Sequence, residues 1–202
     1  ACLVLLMKKI IIKPISQITE ASELISKGTY DLDLGNNKGD EISVLSHTLS
    51  EVCSNIVRSN EKINKMAFFD QLTGLPNKRN FETELKEKFH QAEFNGEEIC
   101  VMLMDLDDFK AFNSLYGHVE GDRCLRQIAQ LLAAFGLRSN DIFARFGGES
   151  FVLMLPGCEL RGAIAIAERM IQSVRDLKIP HEAMKQPGHL SISIGVAAEY
   201  PH

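Results

Sequence analysis

Ala144-Arg145-Phe146-Gly147-Gly148-Glu149-Ser150-Phe151-Val152-Leu153 is the stretch that decides the fold. Two apolar runs flank Gly147-Gly148, which predicts two antiparallel strands joined by a tight turn. Glu149 stands at that turn, where a side chain can reach a ligand. Upstream, Cys100-Val101-Met102-Leu103-Met104-Asp105-Leu106-Asp107-Asp108-Phe109-Lys110 reads as a buried strand ending in three carboxylates and a lysine. If the two strand ends are neighbours, their acids make an all-oxygen site suited to Mg²⁺ and a polyphosphate.

Outward from these strands, hydrophobic periodicity predicts a helix from about Arg79 to Phe94 with Phe81, Leu85 and Phe89 inward. It then predicts strand 99–105, helix 119–135, strands 142–146 and 151–155, helix 161–177 and strand 190–197. This alternation indicates an α/β sandwich with a mixed sheet. The net charge of −5 argues against a nucleic-acid surface, which is normally basic. The five cysteines, Cys2, Cys53, Cys100, Cys124 and Cys158, are scattered and odd in number. They fit reduced thiols in a cytoplasmic setting, not a zinc site or a disulfide framework.

The N-terminal third is helical in pattern. Ile11, Ile15, Ile18, Ser22 and Ile25 follow a 4-3-4-3 spacing, and Gly28 ends that helix. A connector runs from Thr29 to Lys38. A second seam begins at Asp40-Glu41-Ile42 and continues through Leu45, Leu49, Val52, Ile56, Ser59, Ile63 and Met66. A helical hairpin packed as a coiled coil accounts for this. The pattern also resembles a HAMP module at Pro14, Glu20, Gly28 and Asp40-Glu41-Ile42. That resemblance implies a parallel homodimer with the second helix as a signalling stalk over 13–66. Before it, Leu3 to Met7 followed by Lys8-Lys9 suits the cytoplasmic end of a transmembrane helix over 1–12. The chain has no initiator Met, so a start inside a larger protein is expected, at the inner membrane and facing the cytoplasm.

The remaining chain, 67–202, resembles the GGDEF family, the diguanylate cyclases of cyclic di-GMP signalling, with a variant Gly147-Gly148-Glu149-Ser150-Phe151 signature. Asp70-Gln71-Leu72-Thr73-Gly74-Leu75-Pro76-Asn77 matches the family's entry motif. The resemblance implies a palm-like fold related to ferredoxin-like and nucleotidyl-cyclase domains. It implies condensation of two GTP into cyclic di-GMP and two pyrophosphates with Mg²⁺ or Mn²⁺. By the same resemblance Asp105 and Glu149 are the catalytic carboxylates, and Asp105, Leu106 and Glu149 hold the metal. Glu149 serves as metal ligand or as base for the ribose 3′-hydroxyl. Asp107, Asp108 and Phe109 form a turn whose N–H groups face phosphate, and Lys110 contacts phosphate. Asn113 and Asp122 match the guanine readers. His118 is either a cap or a ligand contact. Arg138 and Asp141 match the R-x-x-D inhibitory motif that binds cyclic di-GMP.

Ser150 departs from the pattern, where glutamate is usual. A neutral hydroxyl binds Mg²⁺ weakly, and losing one carboxylate costs about 10²–10⁴ in rate. The family also continues past the Ser193-Ile194-Gly195-Val196 strand with a further helix and strand, so a fragment or a degenerate end is expected. Two functions follow. One is a HAMP-controlled diguanylate cyclase with reduced turnover. The other is a degenerate domain that receives cyclic di-GMP at Arg138 and Asp141, or GTP at the old active site.

Overall fold

The computed structural model describes residues 12–30, 41–135, 137–182 and 188–201. The chain divides into two compact units, Ala1–Lys65 and Met66–His202. The apolar run 3–7, Lys8-Lys9 and Asp40 lie outside the described residues. Among the described residues no helix is long and apolar enough to cross a membrane.

In the first unit, α1 spans Lys13–Ser26. Gly28 ends it at φ +87°, with the Gly28 N–H on Ile25 O (2.9 Å) and the Thr29 N–H on Leu24 O (3.0 Å). Such a left-handed stop leaves no Cβ to clash. The second helix, α2, spans Glu41–Phe68. Its buried positions are Ser46 and Cys53, and Ala21 is the buried position of α1. The expected seam residues Leu45 and Val52 remain about half exposed, at 54% and 47%. The stripe buried within one chain is therefore offset by one residue from the seam the heptad spacing predicts.

The second unit is a four-stranded sheet with helices on both faces. Its elements are α3 (Lys78–Asn95), β1 (Ile99–Leu106), α4 (Phe109–Tyr116), α5 (His118–Ala133), β2 (Ile142–Gly147), β3 (Ser150–Pro156), α6 (Leu160–Asp176) and β4 (Ile192–Glu199). The strand order is β2-β3-β1-β4, with β1 central beside β3. All three ladders are antiparallel, and the parallel component is an isolated bridge between Asn77 and Arg145.

Strand alternation builds the two cores. Cys100, Met102, Met104 and Leu106 of β1 pack with Phe151, Leu153 and Leu155 of β3 against apolar residues of α4, α5 and α6. Ile99, Val152 and Met154 face the other way, with Phe81 and Ala92 of α3. Phe89, expected inward on α3, is 38% exposed. Along that second face of β1, Leu103 and Asp105 are exposed, so the sheet is open where the strand reaches its acidic end.

Candidate active-site cleft

The hairpin between β2 and β3 sets the site. Gly147 pairs with Ser150, so Gly148 and Glu149 are the two turn residues. Gly148 has φ +44°, a value that disfavours any residue with a Cβ. The register shifts between Arg145 and Gly147, a bulge that re-aims the turn. Arg145 anchors it from outside. Its Nη2 and Nε donate to Gly148 O at 2.6 and 3.0 Å, and its Nη1 donates to Asp70 Oδ1 and Oδ2 at 2.9 and 3.1 Å.

Asp70 is itself fixed by the Thr73 N–H (2.8 Å) and hydroxyl (2.7 Å). Partial burial would raise its pKa, but the hydrogen bonds from Thr73 and Arg145 outweigh that and hold the carboxyl below its ordinary range. Asn77 closes the same segment. Its Oδ1 accepts from the Asn80 N–H and caps α3, while its amide donates to Ala67 O. The Asp70–Asn77 motif is thus a folded brace under the Gly-Gly turn.

β1 and β3 bring the two acidic clusters together. Asp105 pairs with Ser150 across the ladder, and the Ser150 hydroxyl donates to Asp105 Oδ1 at 2.6 Å. Glu149 lines a cleft of about 400 Å³ together with Phe109, Lys110, Asn113, Ser114 and His118. Six residues from three chain segments therefore meet around one cavity, and Asp105, at the end of the central strand β1, pairs with Ser150 beside Glu149. Asn113 Oδ1 is buried without a hydrogen-bond partner among the described residues. A Cβ built on Gly121 would come within 1.9 Å of that oxygen, so only glycine admits the Asn113 side chain there. Asp122, the other expected guanine reader, is exposed on α5 beside Gly121 and does not line this cleft.

The turn after β1 is held at Asp107. Its N–H donates to Ser191 O at 3.0 Å, and its carboxylate accepts from the hydroxyls of Ser191 and Ser193, the latter at 2.6 Å. Ser191, just before β4, thus engages the N–H of Asp107, and Ser191 and Ser193 together engage its side chain. Asp108 adopts a left-handed conformation, φ +52°, at the N-cap of α4. The helix Phe109–Tyr116 begins there, where the sequence reading has only a turn.

The described residues show no cluster of three or more His, Cys, Asp or Glu side chains that would hold a metal alone. Asp105 and Glu149 still fit a divalent cation, because Mg²⁺ takes one or two carboxylates plus substrate phosphates. Ser150 occupies one of the roughly four lone-pair sites of Asp105 and leaves the others for a cation. Among the described residues Cys53, Cys100, Cys124 and Cys158 are free thiols, and burial raises Cys100 to about 11 and Cys124 to about 12. Cys100 and Cys124 stay protonated near neutral pH, and neither lines the cleft.

Arg138 and Asp141 form a separate locus. The Asp141 carboxylate accepts the Arg138 N–H at 2.7 Å, and the Asp141 N–H donates to Arg138 O at 3.0 Å. They precede β2 whereas Glu149 follows it, and a six-residue strand spans roughly 20 Å. Asp141 lines a different cleft of about 420 Å³, with Asn80, Glu84, Lys88 and Asn140 among its walls.

Residues 67–202 match the family model described as diguanylate cyclase, GGDEF domain. The bifunctional diguanylate cyclase/cyclic di-GMP phosphodiesterase MucR of Pseudomonas aeruginosa is 34% identical over 164 residues, 79% of this chain. The match takes in 23% of MucR's own length. The coiled coil and GGDEF domain of DgcB from Caulobacter crescentus, solved in complex with c-di-GMP, superposes with a TM-score of 0.69 at 26% identity. It covers 79% of this chain and 83% of that one. Diguanylate cyclase SiaD of P. aeruginosa, solved with its activator SiaC, covers 96% of this chain and 74% of SiaD at 27% identity, with a TM-score of 0.58.

Proposed function

Since the chain belongs to the GGDEF family of diguanylate cyclase domains, we propose that its Met66–His202 unit binds GTP with a divalent cation and condenses two GTP into cyclic di-GMP, with turnover held low by Ser150. One observation carries this reading. Glu149 from the hairpin and Lys110 and Asn113 from α4 line a single cleft, and Asp105 pairs with Ser150, next to Glu149 in the chain. That cleft combines acid, cation and amide groups suited to a metal-bound triphosphate and a purine edge.

The step joins the 3′-oxygen of one ribose to the α-phosphorus of the other GTP and releases pyrophosphate, and it occurs twice between paired domains. The Asp105 and Glu149 carboxylates and the Leu106 carbonyl would hold Mg²⁺ or Mn²⁺, which would supply charge neutralisation at the phosphates. Lys110 offsets charge on the departing pyrophosphate. Glu149 is placed to take the 3′-hydroxyl proton. Asn113 offers an amide to the guanine edge, with Asp122 completing that contact when the nucleotide is bound. His118 lines the cleft with Glu149 and offers a further contact to the nucleotide. Ser150 supplies a hydroxyl where a carboxylate would add a third negative ligand, so binding of GTP survives better than its conversion.

Regulation is assigned to the rest of the chain. Arg138 and Asp141 receive the product, cyclic di-GMP, and so restrain the cleft. DgcB bound to c-di-GMP supports this assignment. The helices α1 and α2 act as a HAMP-type control module and stalk that pairs two chains at the inner membrane, facing the cytoplasm. Exposed Leu45, Val52, Ile63 and Met66 along α2 support the pairing.

Calorimetry with GTP and Mg²⁺ tests the cleft. Asp105→Asn weakens binding by about tenfold or more, the loss of a direct charge contact, and Asn113→Ala erases the preference for GTP over ATP. Equal binding of GTP by wild type and Asp105→Asn would place the nucleotide elsewhere.

A further inference from the structure

His181 is fully buried, on a segment that belongs to none of the strands or helices. Its ring meets Phe112 of α4 edge-on, at 5.3 Å between centroids and 89° between planes. Its Nε2 lies 3.2 Å from the carbonyl oxygen of Asp108. A carbonyl only accepts, so Nε2 is the donor of this contact and Nδ1 is the ring's other polar atom. That Nδ1 has no hydrogen-bond partner among the described residues.

Burying a polar atom without a partner is unfavourable. A phenyl ring would fill the same place without one. What the imidazole adds over an apolar ring is therefore the single Nε2–H contact to Asp108.

Asp108 has reason to need it. Its φ of +52° is disfavoured for a residue with a Cβ, and such a conformation persists only where the surroundings hold it. Its side chain makes no cap bond to α4. Its carbonyl accepts the Ala111 and Phe112 N–H groups at 2.9 and 3.1 Å, and His181 provides a further bond from outside the helix. The neighbouring Asp107 is gripped by Ser191 and Ser193. The same peripheral segment is tied down by the His181 N–H on Gly188 O (3.0 Å) and the Leu190 N–H on Ile179 O (2.8 Å). The turn between Asp105 and Lys110 is thus clamped from behind at two successive residues.

We propose that His181 is a positioning residue for nucleotide binding: by holding the Asp108 carbonyl it fixes the turn that sets Lys110 against Asp105, and so governs how the cleft grips the triphosphate. This rests on the reading that the cleft takes GTP. The guanine-facing residue Asn113 lies a turn farther along α4, so the effect falls on phosphates more than on base.

The test uses the whole chain with His181→Phe, which keeps the ring and removes the donor, and His181→Gln, whose terminal amide restores one. GTP with Mg²⁺ is titrated by calorimetry, and guanosine by ligand-observed NMR. His181→Phe is expected to weaken GTP by roughly fivefold to tenfold, the scale of one hydrogen bond, and to leave guanosine within about twofold. His181→Gln is expected to recover most of the loss. GTP affinity unchanged in His181→Phe, or GTP and guanosine falling together, overturns the inference while the cleft reading stands. A wild-type chain that binds neither ligand overturns both. Should His181→Phe not fold, His181→Asn, with an amide too short to reach Asp108, is read by the same criteria.

Discussion

The Ser150 hydroxyl donates a 2.6 Å hydrogen bond to Asp105 Oδ1 across the β1–β3 ladder. A glutamate at this place would bring negative charge to the Asp105 carboxylate and demand a cation between them. Serine removes that demand. It satisfies Asp105 with a neutral donor, so the site is settled without metal. On the cyclase reading, the substitution is expected to lower the affinity of the cleft for a cation and to favour the unliganded state, two effects with the same sign on turnover.

The brace under the hairpin makes the first prediction. Arg145 joins Asp70 to Gly148 O, and its side chain is 12% exposed beside an Asp70 side chain 23% exposed. Arg145→Ala leaves a half-buried carboxylate and a turn carbonyl without their donor. It should cost about 2 kcal/mol in urea unfolding, the scale of charge-assisted bonds in a partly screened pair.

The same pair fixes a pH dependence. The folded-state pKa of Asp70 lies below its ordinary 3.8, so the unfolded chain binds the proton first. Its contribution to stability is present above pH 3.8 and is lost as pH falls through the lower folded value. In Asp70→Asn that segment of the stability curve should flatten, as read by thermal melts between neutral pH and acid. An unaltered acid limb would place the titrating carboxylate elsewhere.

Arg138 and Asp141 make a third prediction. The Asp141 carboxylate already accepts the Arg138 N–H, so the loop is formed before ligand arrives. Cyclic di-GMP should bind at micromolar affinity or tighter. Arg138→Ala should weaken it by roughly 2–3 kcal/mol, the scale of a charge-assisted contact, with GTP binding intact. Equal binding by the variant removes the site.

The stalk makes the fourth. Leu45 and Val52 stay exposed although their spacing is that of a packing seam. Charged residues at Leu49 and Val52 should convert dimers to monomers in sedimentation. Dimers of unchanged strength would exclude this face.

Much of this was legible in the sequence because it rests on local pattern. The apolar run 100–104 and the Gly147-Gly148 pair give β1 and the hairpin, and the strand-end position of Asp105 and Glu149 follows from them. Asp70–Asn77 is recognisable as a motif, but its partner Arg145 is not, since the contact joins residues 75 apart in the chain. The capture of Asp107 by Ser191 and Ser193 is hidden for the same reason. The helix Phe109–Tyr116 starts from a left-handed Asp108 without a side-chain cap, so it lacks the signal that marks helix starts. His181 gave no sign at all. A lone histidine in a polar segment reads as surface, and only the packing of Phe112 over it shows otherwise. The face of α2 that is buried could not be read from spacing, because Ser46 and Cys53 are poorer apolar markers than the exposed Leu45 and Val52.

The most direct measurement is cyclic di-GMP formed from GTP and Mg²⁺ or Mn²⁺ by the whole protein, wild type beside Ser150→Glu. Restoring the carboxylate opposite Asp105 should raise synthesis by at least about tenfold, near 1.4 kcal/mol in the barrier, with the product abolished again by Asp105→Asn. Wild-type synthesis that Ser150→Glu does not increase would contradict the claim that this hydroxyl limits the cleft, and no product from either protein would contradict the cyclase reading itself.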